Sequence, residues 1–566
     1  MTQASLTQMD AYAPPRPRGP IELDLSRNEG RAPKGLVPSA VTPADLARYP
    51  QLSELRSELA SRCGVSEGQV VLTAGGDDAL LRCCFAVRGL GSRALLTRPT
   101  FEMIPRYATL AGLGLDEVEW AEGEFPVERF LDAADGPPAV AFVVSPNNPT
   151  GGVASRSDLE QIATTLGDSL VVLDAAYGEL ADDDLTEFAL QFENVVVVRT
   201  LSKAWGLAGL RVGCAIGAAS WIARLEAAGN PYPVSVASAE IALERLDSGQ
   251  EDVDDYVRQI RRERVELARN LADLGAQPAE PTEANFVLAR TVDAPFVTDA
   301  MAALGIAIRR FPDRPELRDA VRIGLPADER KFAYLQRSLE SVLRPEAILF
   351  DLDGVLADVS QSYRRAIRET ARQFGVEVTD REIAARKAQG NANDDWELTR
   401  SLLSARGVDA SLDEVVRCFE SIYQGDGDRP GTRETERLCV SISVLQRLRE
   451  SFRIAIVTGR PRADAERFLE LFGLRSLFEV CICREDAPLK PDPAPVRLAM
   501  DRLRVSRAWM LGDTPDDLRS ARGASVVPIG VIAPGSEEAS EQKAVLQSAG
   551  AARVLQSTDD LEGLLQ

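Results

Sequence analysis

The sequence predicts a protein of the α/β class with two domains, each built on a mostly parallel sheet. The first observation is length, because 566 residues are too many for one hydrophobic core. The second is a repeated pattern in which short apolar runs end in polar or glycine-containing loops and are followed by helical stretches. The third is that the chemically versatile residues follow the carboxyl ends of these runs, where open parallel sheets bind ligands.

The apolar runs fall into two groups along the chain. The predicted strands of the first group span 70–72, 94–96, 140–144, 170–173 and 195–198, and those of the second span 347–350, 454–457 and 508–511. A helical stretch ends between the groups, at 344–346, just before a new buried strand. We therefore predict a disordered lead-in over 1–20, a first domain over 21–343 and a second over 346–566.

Composition excludes several classes of protein and site. The chain has no histidine, which rules out Ser-His-Asp and Cys-His catalysis and the usual zinc centres. A formal charge of −22 argues against non-specific nucleic-acid binding. No apolar run is long enough to span a membrane. The eight cysteines lack the CxxC spacing of metal sites, which predicts reduced thiols in a cytoplasmic protein.

Lys203 stands just past the apolar run 195–198, with small hydroxyl residues before it and an arginine after it. Thr200, Ser202 and Arg211 can all face one anion, the arginine as a bidentate fork. This pattern suits an amine that forms a Schiff base while its neighbours hold a phosphate. From this stretch alone, a solvent-facing lysine on an ordinary turn is an equally good interpretation.

Other candidate ligand groups follow the earlier strands of the first half. Gly76-Asp77 opens a helix whose backbone N–H groups can bind an anion, and Phe101 can stack on a planar ring. Asn148, in a rigid turn between prolines, can donate to a phenolate oxygen, and Tyr177 can reach the same oxygen. Asp174 follows a buried run, where an unpaired carboxylate would be costly, so it requires a partner such as a pyridinium nitrogen.

Taken in order, these motifs resemble the fold-type I aminotransferases of class I and II, over about residues 20–340. The resemblance implies pyridoxal 5'-phosphate as the cofactor and a homodimer whose sites are completed across the subunit interface. It implies Lys203 as the Schiff-base lysine and proton shuttle, with Asp174 on the pyridine nitrogen. Asn148 and Tyr177 would bind the ring oxygen. The phosphate would be held by Thr200, Ser202, Arg211 and the backbone of Gly76 and Asp77.

Within that class the chain most resembles the histidinol-phosphate aminotransferases, through stretches such as Asn28-Glu-Gly, Arg-Tyr49-Pro, Ile-Arg309 and Val-Arg322-Ile. The resemblance implies Asn28 as a substrate-binding residue and Tyr49 as a ligand of the partner subunit's cofactor phosphate. Arg322 would bind the α-carboxylate of glutamate, and Arg309 the substrate's distal carboxylate or phosphate, although the adjoining Arg310 could do so instead. Threonine-phosphate decarboxylases and aromatic aminotransferases share most of these motifs.

The second half places acidic and phosphate-binding groups after successive strands. Asp351 and Asp353 follow a buried run, so that one can attack phosphorus while the other serves as acid and base. Thr458-Gly459 supplies a hydroxyl and an N–H group, and Lys490 a fixed positive charge. The run Asp513–Asp517 offers oxygen ligands for Mg²⁺. Each motif alone could be a loop acid or a helix cap.

The four motifs in order resemble the haloacid dehalogenase-like superfamily, over about residues 346–566, and Asp353 matches its phosphatase branch. The resemblance implies a Rossmann-like domain with Asp351 as nucleophile, Asp353 as acid and base, and Mg²⁺ near Asp351, Asp353, Asp513 and Asp517. Phosphate would be bound by Thr458, Gly459 and Lys490. The mostly helical stretch at about 364–445 matches a C1-type cap. Its run 389–396 either reads the leaving group or simply caps a helix.

Joined together, the halves predict a bifunctional enzyme of histidine biosynthesis. The first half would convert imidazole-acetol phosphate and L-glutamate to histidinol phosphate, and the second would release histidinol, which raises the local concentration of the intermediate. Two alternatives stay open. One is a different aminotransferase or decarboxylase joined to a phosphatase of other or broad specificity, and the other is one active domain with a catalytically idle partner.

Overall fold

The structure is a computed structural model that describes residues 19–36, 41–134, 136–390, 392–425, 429–534 and 539–565. Most of the predicted lead-in therefore lies outside the described residues. The chain divides into two compact units. The first holds residues 24–294 and 308–334, and the second holds 295–307, the chain from 335 onward and a short N-terminal stretch. The helix Glu329–Leu343 contributes residues to both, and the predicted boundaries stay a prediction.

A seven-stranded sheet forms the centre of the first unit. In spatial order its strands are Val70–Thr73, Gly213–Gly217, Val195–Thr200, Leu170–Asp174, Val140–Val144, Arg93–Arg98 and Gly114–Glu119. Gly213–Gly217 runs antiparallel to both neighbours, and the remaining pairs are parallel. All five strands predicted for this half are present, and the predicted α/β class is confirmed.

Both faces of this sheet are buried, which explains why its strands are continuous apolar runs and do not alternate. In the strand Val195–Thr200, Val196 and Val198 pack into the core on one face, and Val195 and Val197 pack into the core on the other. Strands covered on both sides leave only their ends free for ligands, so the carboxyl edge is the place for a site.

Helices cover the central sheet of the first unit, and a small antiparallel sheet follows it in the chain. The helices are Pro43–Leu46, Ser53–Arg62, Gly76–Ala86, Met103–Leu110, Val127–Asp132, Arg156–Thr165, Thr186–Ala189, Ala219–Ala227, Val236–Ser248 and Gln250–Asp273. The four strands of the small sheet, in spatial order, are Arg309–Arg310, Ala320–Gly324, Phe286–Arg290 and Gln277–Pro278. Two further short strands are Leu23–Asp24 and Ile306–Ala307, and one further helix is Ala294–Ala303.

A six-stranded, entirely parallel sheet forms the centre of the second unit. Its strands, in spatial order, are Val480–Ile482, Arg453–Val457, Ala347–Phe350, Ala508–Gly512, Val527–Val531 and Arg553–Leu555. The three strands predicted for this half are adjacent, and they are the second, third and fourth in this order. The helices around the sheet are Ile442–Ser451, Arg462–Leu471, Ala494–Leu503, Pro515–Gly523, Ala539–Ser548 and Leu561–Leu565.

Four helices form the insertion after the first strand of this sheet: Tyr363–Gln373, Asp380–Ala388, Asp395–Ser404 and Leu412–Gln424. The chain enters the insertion through the short strand Ala357–Asp358 and leaves it through Arg437–Leu438, and these two strands pair antiparallel. This helical insertion has the position predicted for the cap. Within the described ranges, no helix combines the length and apolar character needed to cross a membrane.

Candidate active sites

Lys203 lies in the loop just past the strand Val195–Thr200, at the carboxyl edge of the seven-stranded sheet. Its Nζ donates a hydrogen bond to the carbonyl oxygen of Asn28 (3.0 Å) and lies 5.3 Å from the ring centroid of Tyr177. Asn28 Nδ2 donates to the Tyr177 hydroxyl (3.3 Å). The amine is therefore held inside a pocket, and the alternative of a solvent-facing lysine does not apply.

This pocket is a cavity of about 250 Å³. It brings together seven of the predicted site residues, namely Asn28, Phe101, Asn148, Tyr177, Lys203, Arg309 and Arg322. Arg310 is not among the residues that line it, so Arg309 is the member of that pair placed to meet a substrate.

Arg322 is almost fully buried at one wall of the cavity. Its Nη1 donates to Asn148 Oδ1 (2.6 Å) and its Nη2 to the carbonyl oxygen of Ser26 (2.7 Å). Because the Asn148 oxygen accepts from Arg322, the Asn148 Nδ2 group remains as the donor that a phenolate oxygen would need. The Arg322 guanidinium also lies over the ring of Phe286, 5.2 Å from its centroid, which fixes its plane.

Asp174 ends the strand Leu170–Asp174 and is 5% exposed. The Ala176 N–H donates to its Oδ1 (3.1 Å), and no cation among the described residues forms an ion pair with it. Burial raises the pKa of Asp174 to about 6. A buried carboxylate of this kind fits a protonated ring nitrogen, whose positive charge would favour the ionised form.

The pKa of Asp174 predicts a pH-dependent effect on stability in cofactor-free protein. Its folded-state pKa of about 6 lies above the ordinary value of 3.8, so the folded protein loses stability as pH rises through this interval. We expect Asp174→Asn to stabilise the cofactor-free protein by up to about 3 kcal/mol at pH 8, and by roughly half as much at pH 5, where the unfolded-state carboxyl is already ionised and the folded-state one is not. Thermal melting at both pH values measures this.

The exposed Asp168 offers a matched control for that measurement. Asp168→Asn is expected to shift the melting temperature equally at pH 5 and pH 8. A melting temperature of Asp174→Asn that follows the wild type at both pH values would show that Asp174 carries no buried charge.

The residues predicted to bind the cofactor phosphate cluster beside the amino terminus of the helix Gly76–Ala86. Thr200 Oγ1 donates to Ser202 Oγ (2.8 Å), and Arg211 Nη1 lies 3.4 Å from the same Ser202 oxygen. Arg211 Nη2 forms an ion pair with Asp77 (3.0 Å). Hydroxyls, a guanidinium and the N–H groups of an eleven-residue helix form a suitable anion cradle, so the residues present fit the phosphate of pyridoxal 5'-phosphate.

Tyr49 is a cofactor-binding candidate that does not line this cavity. Its side chain is 72% exposed, and its ring stacks on that of Tyr232, with the centroids 4.4 Å apart. A residue that acts on the partner subunit's site would be exposed in a single chain, and the assignment of Tyr49 stays a prediction.

Sequence reasoning missed two charged residues of the cavity, Glu102 and Arg314. Glu102 forms ion pairs with Arg309 (3.3 Å) and Arg314 (3.8 Å), and Arg314 also donates to the carbonyl oxygen of Thr100 (2.9 Å). The only indication in the sequence that Glu102 belongs to the cavity is that it directly follows Phe101, a predicted cofactor-binding residue. The pair of arginines, which share Glu102, forms a wall that suits a doubly charged anion.

The second cluster lies at the carboxyl edge of the six-stranded sheet. Asp351, Asp513 and Asp517 each place a carboxylate oxygen within 4.8 Å of the other two. Lys490 Nζ contacts Asp351 (2.7 Å) and Asp517 (2.5 Å). Burial raises the pKa of Asp351, and burial together with Asp517 raises that of Asp513 to about 7. Crowded carboxylate oxygens of this kind fit a hard divalent cation such as Mg²⁺, which would relieve their repulsion.

Asp353 is not in this group of three, and its predicted role as a metal ligand stays a prediction. Its Oδ1 accepts a hydrogen bond from Arg460 Nε (2.7 Å), so its carboxylate is directed to a cation of the protein. Thr458 and Gly459 follow the strand Arg453–Val457 and lie in the same shallow depression as Lys490. The roles of these residues stay predictions.

The predicted cap loop at 389–396 contacts the carboxyl edge of the sheet; Asn391 lies outside the described residues. The Ala392 N–H donates to Asp516 (3.0 Å), and Asn393 Nδ2 donates to the carbonyl oxygen of Lys490 (3.1 Å). Asp394 also accepts from the N–H groups of Trp396 and Glu397, which caps the helix Asp395–Ser404. The loop therefore serves as a helix cap and also lies over the candidate site.

Comparisons with known proteins agree with this division of the chain. Residues 31–334 match the family described as aminotransferase class I and II. Residues 345–525 match the family described as haloacid dehalogenase-like hydrolase. Each match contains the corresponding cluster of candidate residues, apart from Asn28, which lies just before the first match.

Individual relatives are similar to one part of the chain. The histidinol-phosphate aminotransferase of Caldanaerobacter subterraneus subsp. tengcongensis is 33% identical, over 52% of this chain and 83% of that protein. An imidazoleglycerol-phosphate dehydratase of Phytophthora nicotianae is 45% identical, over 33% of this chain and 44% of that protein. This chain thus spans less than half of that relative. A histidinol-phosphate aminotransferase of Sinorhizobium meliloti, solved with pyridoxal-5'-phosphate, has a TM-score of 0.51 at 25% identity, over 57% of this chain and 92% of that chain.

Proposed function

Since this chain belongs to the class I and II aminotransferases and carries a haloacid dehalogenase-like hydrolase domain, we propose that it catalyses two consecutive steps of histidine biosynthesis. The first is transfer of the amino group of L-glutamate to imidazole-acetol phosphate, giving histidinol phosphate. The second is hydrolysis of that ester to histidinol and inorganic phosphate. The observation that carries the proposal is that one chain joins the Lys203–Asp174 cavity to the Asp351–Lys490 cluster.

In the first step, pyridoxal 5'-phosphate supplies an electron sink that makes the substrate's α-carbon acidic. Lys203 Nζ moves the proton that this carbon releases, and the Asn28 carbonyl holds the amine in place. Asp174 would keep the cofactor's ring nitrogen protonated, Asn148 and Tyr177 would bind the ring oxygen, and Phe101 would stack on the ring. Thr200, Ser202, Arg211 and the Gly76-Asp77 backbone would hold the cofactor phosphate.

The arginines of the cavity give this step its substrate class. Arg322 would bind the α-carboxylate of glutamate, and Arg309 would bind either the side-chain carboxylate of glutamate or the phosphate of the keto substrate. Arg314, which shares Glu102 with Arg309, adds the second positive charge that a phosphate dianion favours. Asn28, whose carbonyl oxygen accepts from Lys203, lines the same cavity and would contact the bound substrate.

In the second step, an Asp351 oxygen attacks phosphorus while the bond from phosphorus to the ester oxygen breaks. The leaving oxygen takes a proton from Asp353. Water then attacks the phosphorus of the aspartyl phosphate and gives its proton to Asp353, so that inorganic phosphate leaves and Asp351 is restored. Lys490, Thr458 and Gly459 would hold the phosphoryl oxygens. Asp351, Asp513 and Asp517 would hold Mg²⁺, which neutralises charge on the transferring group.

The proposal includes a homodimer in which Tyr49 reaches the partner subunit's cofactor phosphate. The exposure of Tyr49 and of Tyr232, which stacks on it, supports a surface that a second copy covers. The proposal also includes a cytoplasmic location. The reducing conditions of the cytoplasm suit the adjacent buried thiols of Cys83 and Cys84.

Inorganic phosphate release by the purified protein tests the two steps together. The protein is given pyridoxal 5'-phosphate, Mg²⁺ and imidazole-acetol phosphate, with and without L-glutamate. We expect phosphate release that requires glutamate. Glutamate consumption without phosphate release would retain the aminotransferase and assign a different ester to the second domain. An absence of glutamate consumption would overturn the histidine-pathway substrate.

A further inference from the structure

A buried arginine connects the proposed acid/base residue of the phosphatase site to the linker of the helical cap. Arg460 is 2% exposed and follows the phosphate-binding candidates Thr458 and Gly459. Its Nε donates to Asp353 Oδ1 (2.7 Å), and its Nη1 donates to Glu436 Oε2 (3.1 Å). A single guanidinium thus bridges two carboxylates. The planar guanidinium of an arginine fixes the geometry of such a bridge, whereas the ammonium group of a lysine would not.

The surroundings of this bridge leave it little freedom. The Arg460 guanidinium lies 4.8 Å from the ring centroid of Tyr363 and 5.4 Å from that of Phe468. The Tyr423 hydroxyl donates to the second oxygen of Glu436 (3.0 Å). Tyr363 and Tyr423 belong to cap helices, so the bridge is fixed from the cap as well as from the sheet.

Both chain segments that join the cap to the rest of the domain meet at this place. Glu436 directly precedes the exit strand Arg437–Leu438, which pairs with the entry strand Ala357–Asp358. Asp353 is bridged to Ala357, and the Gly354 N–H donates to the Ala357 carbonyl oxygen (2.9 Å). A movement of the linker therefore displaces Glu436 and the backbone next to Asp353 together.

We propose that Arg460 and Glu436 are positioning residues that set the place of the Asp353 carboxyl according to the position of the cap. The inference rests on the proposed phosphatase function. In this arrangement Asp353 delivers its proton to the leaving oxygen when the linker keeps Glu436 hydrogen-bonded to Arg460, and Arg460 hydrogen-bonded to Asp353. Asp351 and Lys490 contact each other and not this bridge, so attack on phosphorus does not depend on it.

Leaving-group dependence separates positioning of an acid from a general loss of structure. p-Nitrophenolate leaves without a proton, whereas phenolate is more basic and needs one. We expect Glu436→Gln to lower the single-turnover rate of phenol release from phenyl phosphate about tenfold or more, with less than about a threefold change for p-nitrophenyl phosphate. Glu434→Gln is the matched control, because Glu434 is half-exposed and pairs with Arg467 on the surface (2.6 Å).

Tyr423→Phe gives an independent test, because it removes only the hydroxyl that holds Glu436. The same selective loss, of smaller size, is expected, and this variant decides the matter if Glu436→Gln does not fold. Equal changes for both esters, or no change, in a folded variant would overturn the inference alone. A wild-type protein that hydrolyses neither these esters nor histidinol phosphate would overturn the proposed phosphatase function and this inference with it.

Discussion

Asp351→Asn is expected to lower phosphate release by about four orders of magnitude or more, and to leave glutamate-dependent transamination unchanged. The amide lacks the nucleophilic oxygen anion that attacks phosphorus. The substitution also keeps the shape of the side chain, and Lys490 retains its ion pair with Asp517 (2.5 Å). Phosphate and 2-oxoglutarate formation, measured in one reaction mixture, give both activities.

The exposed Asp492 supplies a control for this substitution, because it follows Lys490 in the same loop but accepts from the Ala494 N–H (2.8 Å) away from the cluster. Asp492→Asn is expected to retain both activities. Phosphate release by Asp351→Asn within about tenfold of the wild type would remove Asp351 as the nucleophile. A parallel loss of transamination would contradict two independently working sites.

The sequence predicted those residues whose chemistry is set by their place after a strand. Asp174 ends a buried parallel strand, so its side chain had to lie at the carboxyl edge beside Lys203, which follows the neighbouring strand. The same reasoning placed Asp351, Asp513 and Lys490 at one edge of the second sheet. Such predictions succeed because the carboxyl ends of neighbouring parallel strands lie at the same edge of the sheet, so the residues that follow them can be placed there before any side-chain contact is known.

Contacts between distant segments could not be predicted in this way. Glu102 pairs with Arg309 across 207 positions of the chain, and nothing local in either segment indicates the other. The contact of Asp353 with Arg460, across 107 positions, is of the same kind, because nothing next to either residue indicates the buried counter-charge. Tyr49 marks a further limit, because a residue assigned to a partner's site has no contact in its own chain that reveals it.

Lys203→Ala is expected to lower transamination by about four orders of magnitude or more, while hydrolysis of added histidinol phosphate continues. The substitution removes the amine that moves the α-carbon proton. Within the described cavity the other cations are arginines, which stay protonated and cannot take up that proton. Borohydride treatment of the wild type with pyridoxal 5'-phosphate, followed by peptide mass spectrometry, should show the peptide that contains Lys203 heavier by the cofactor's mass less one oxygen atom, because the linkage forms with loss of water and is then reduced.

Lys331, exposed on the helix Glu329–Leu343, is the matched control for this measurement, and Lys331→Ala should retain the adduct and both activities. The coupled assay then connects the two domains. Lys203→Ala given imidazole-acetol phosphate and glutamate should release no phosphate, whereas the same variant given histidinol phosphate should release it at the wild-type rate. Phosphate release from imidazole-acetol phosphate by Lys203→Ala would mean that the second domain hydrolyses the keto ester before transamination, and the order of the two steps would have to be reversed.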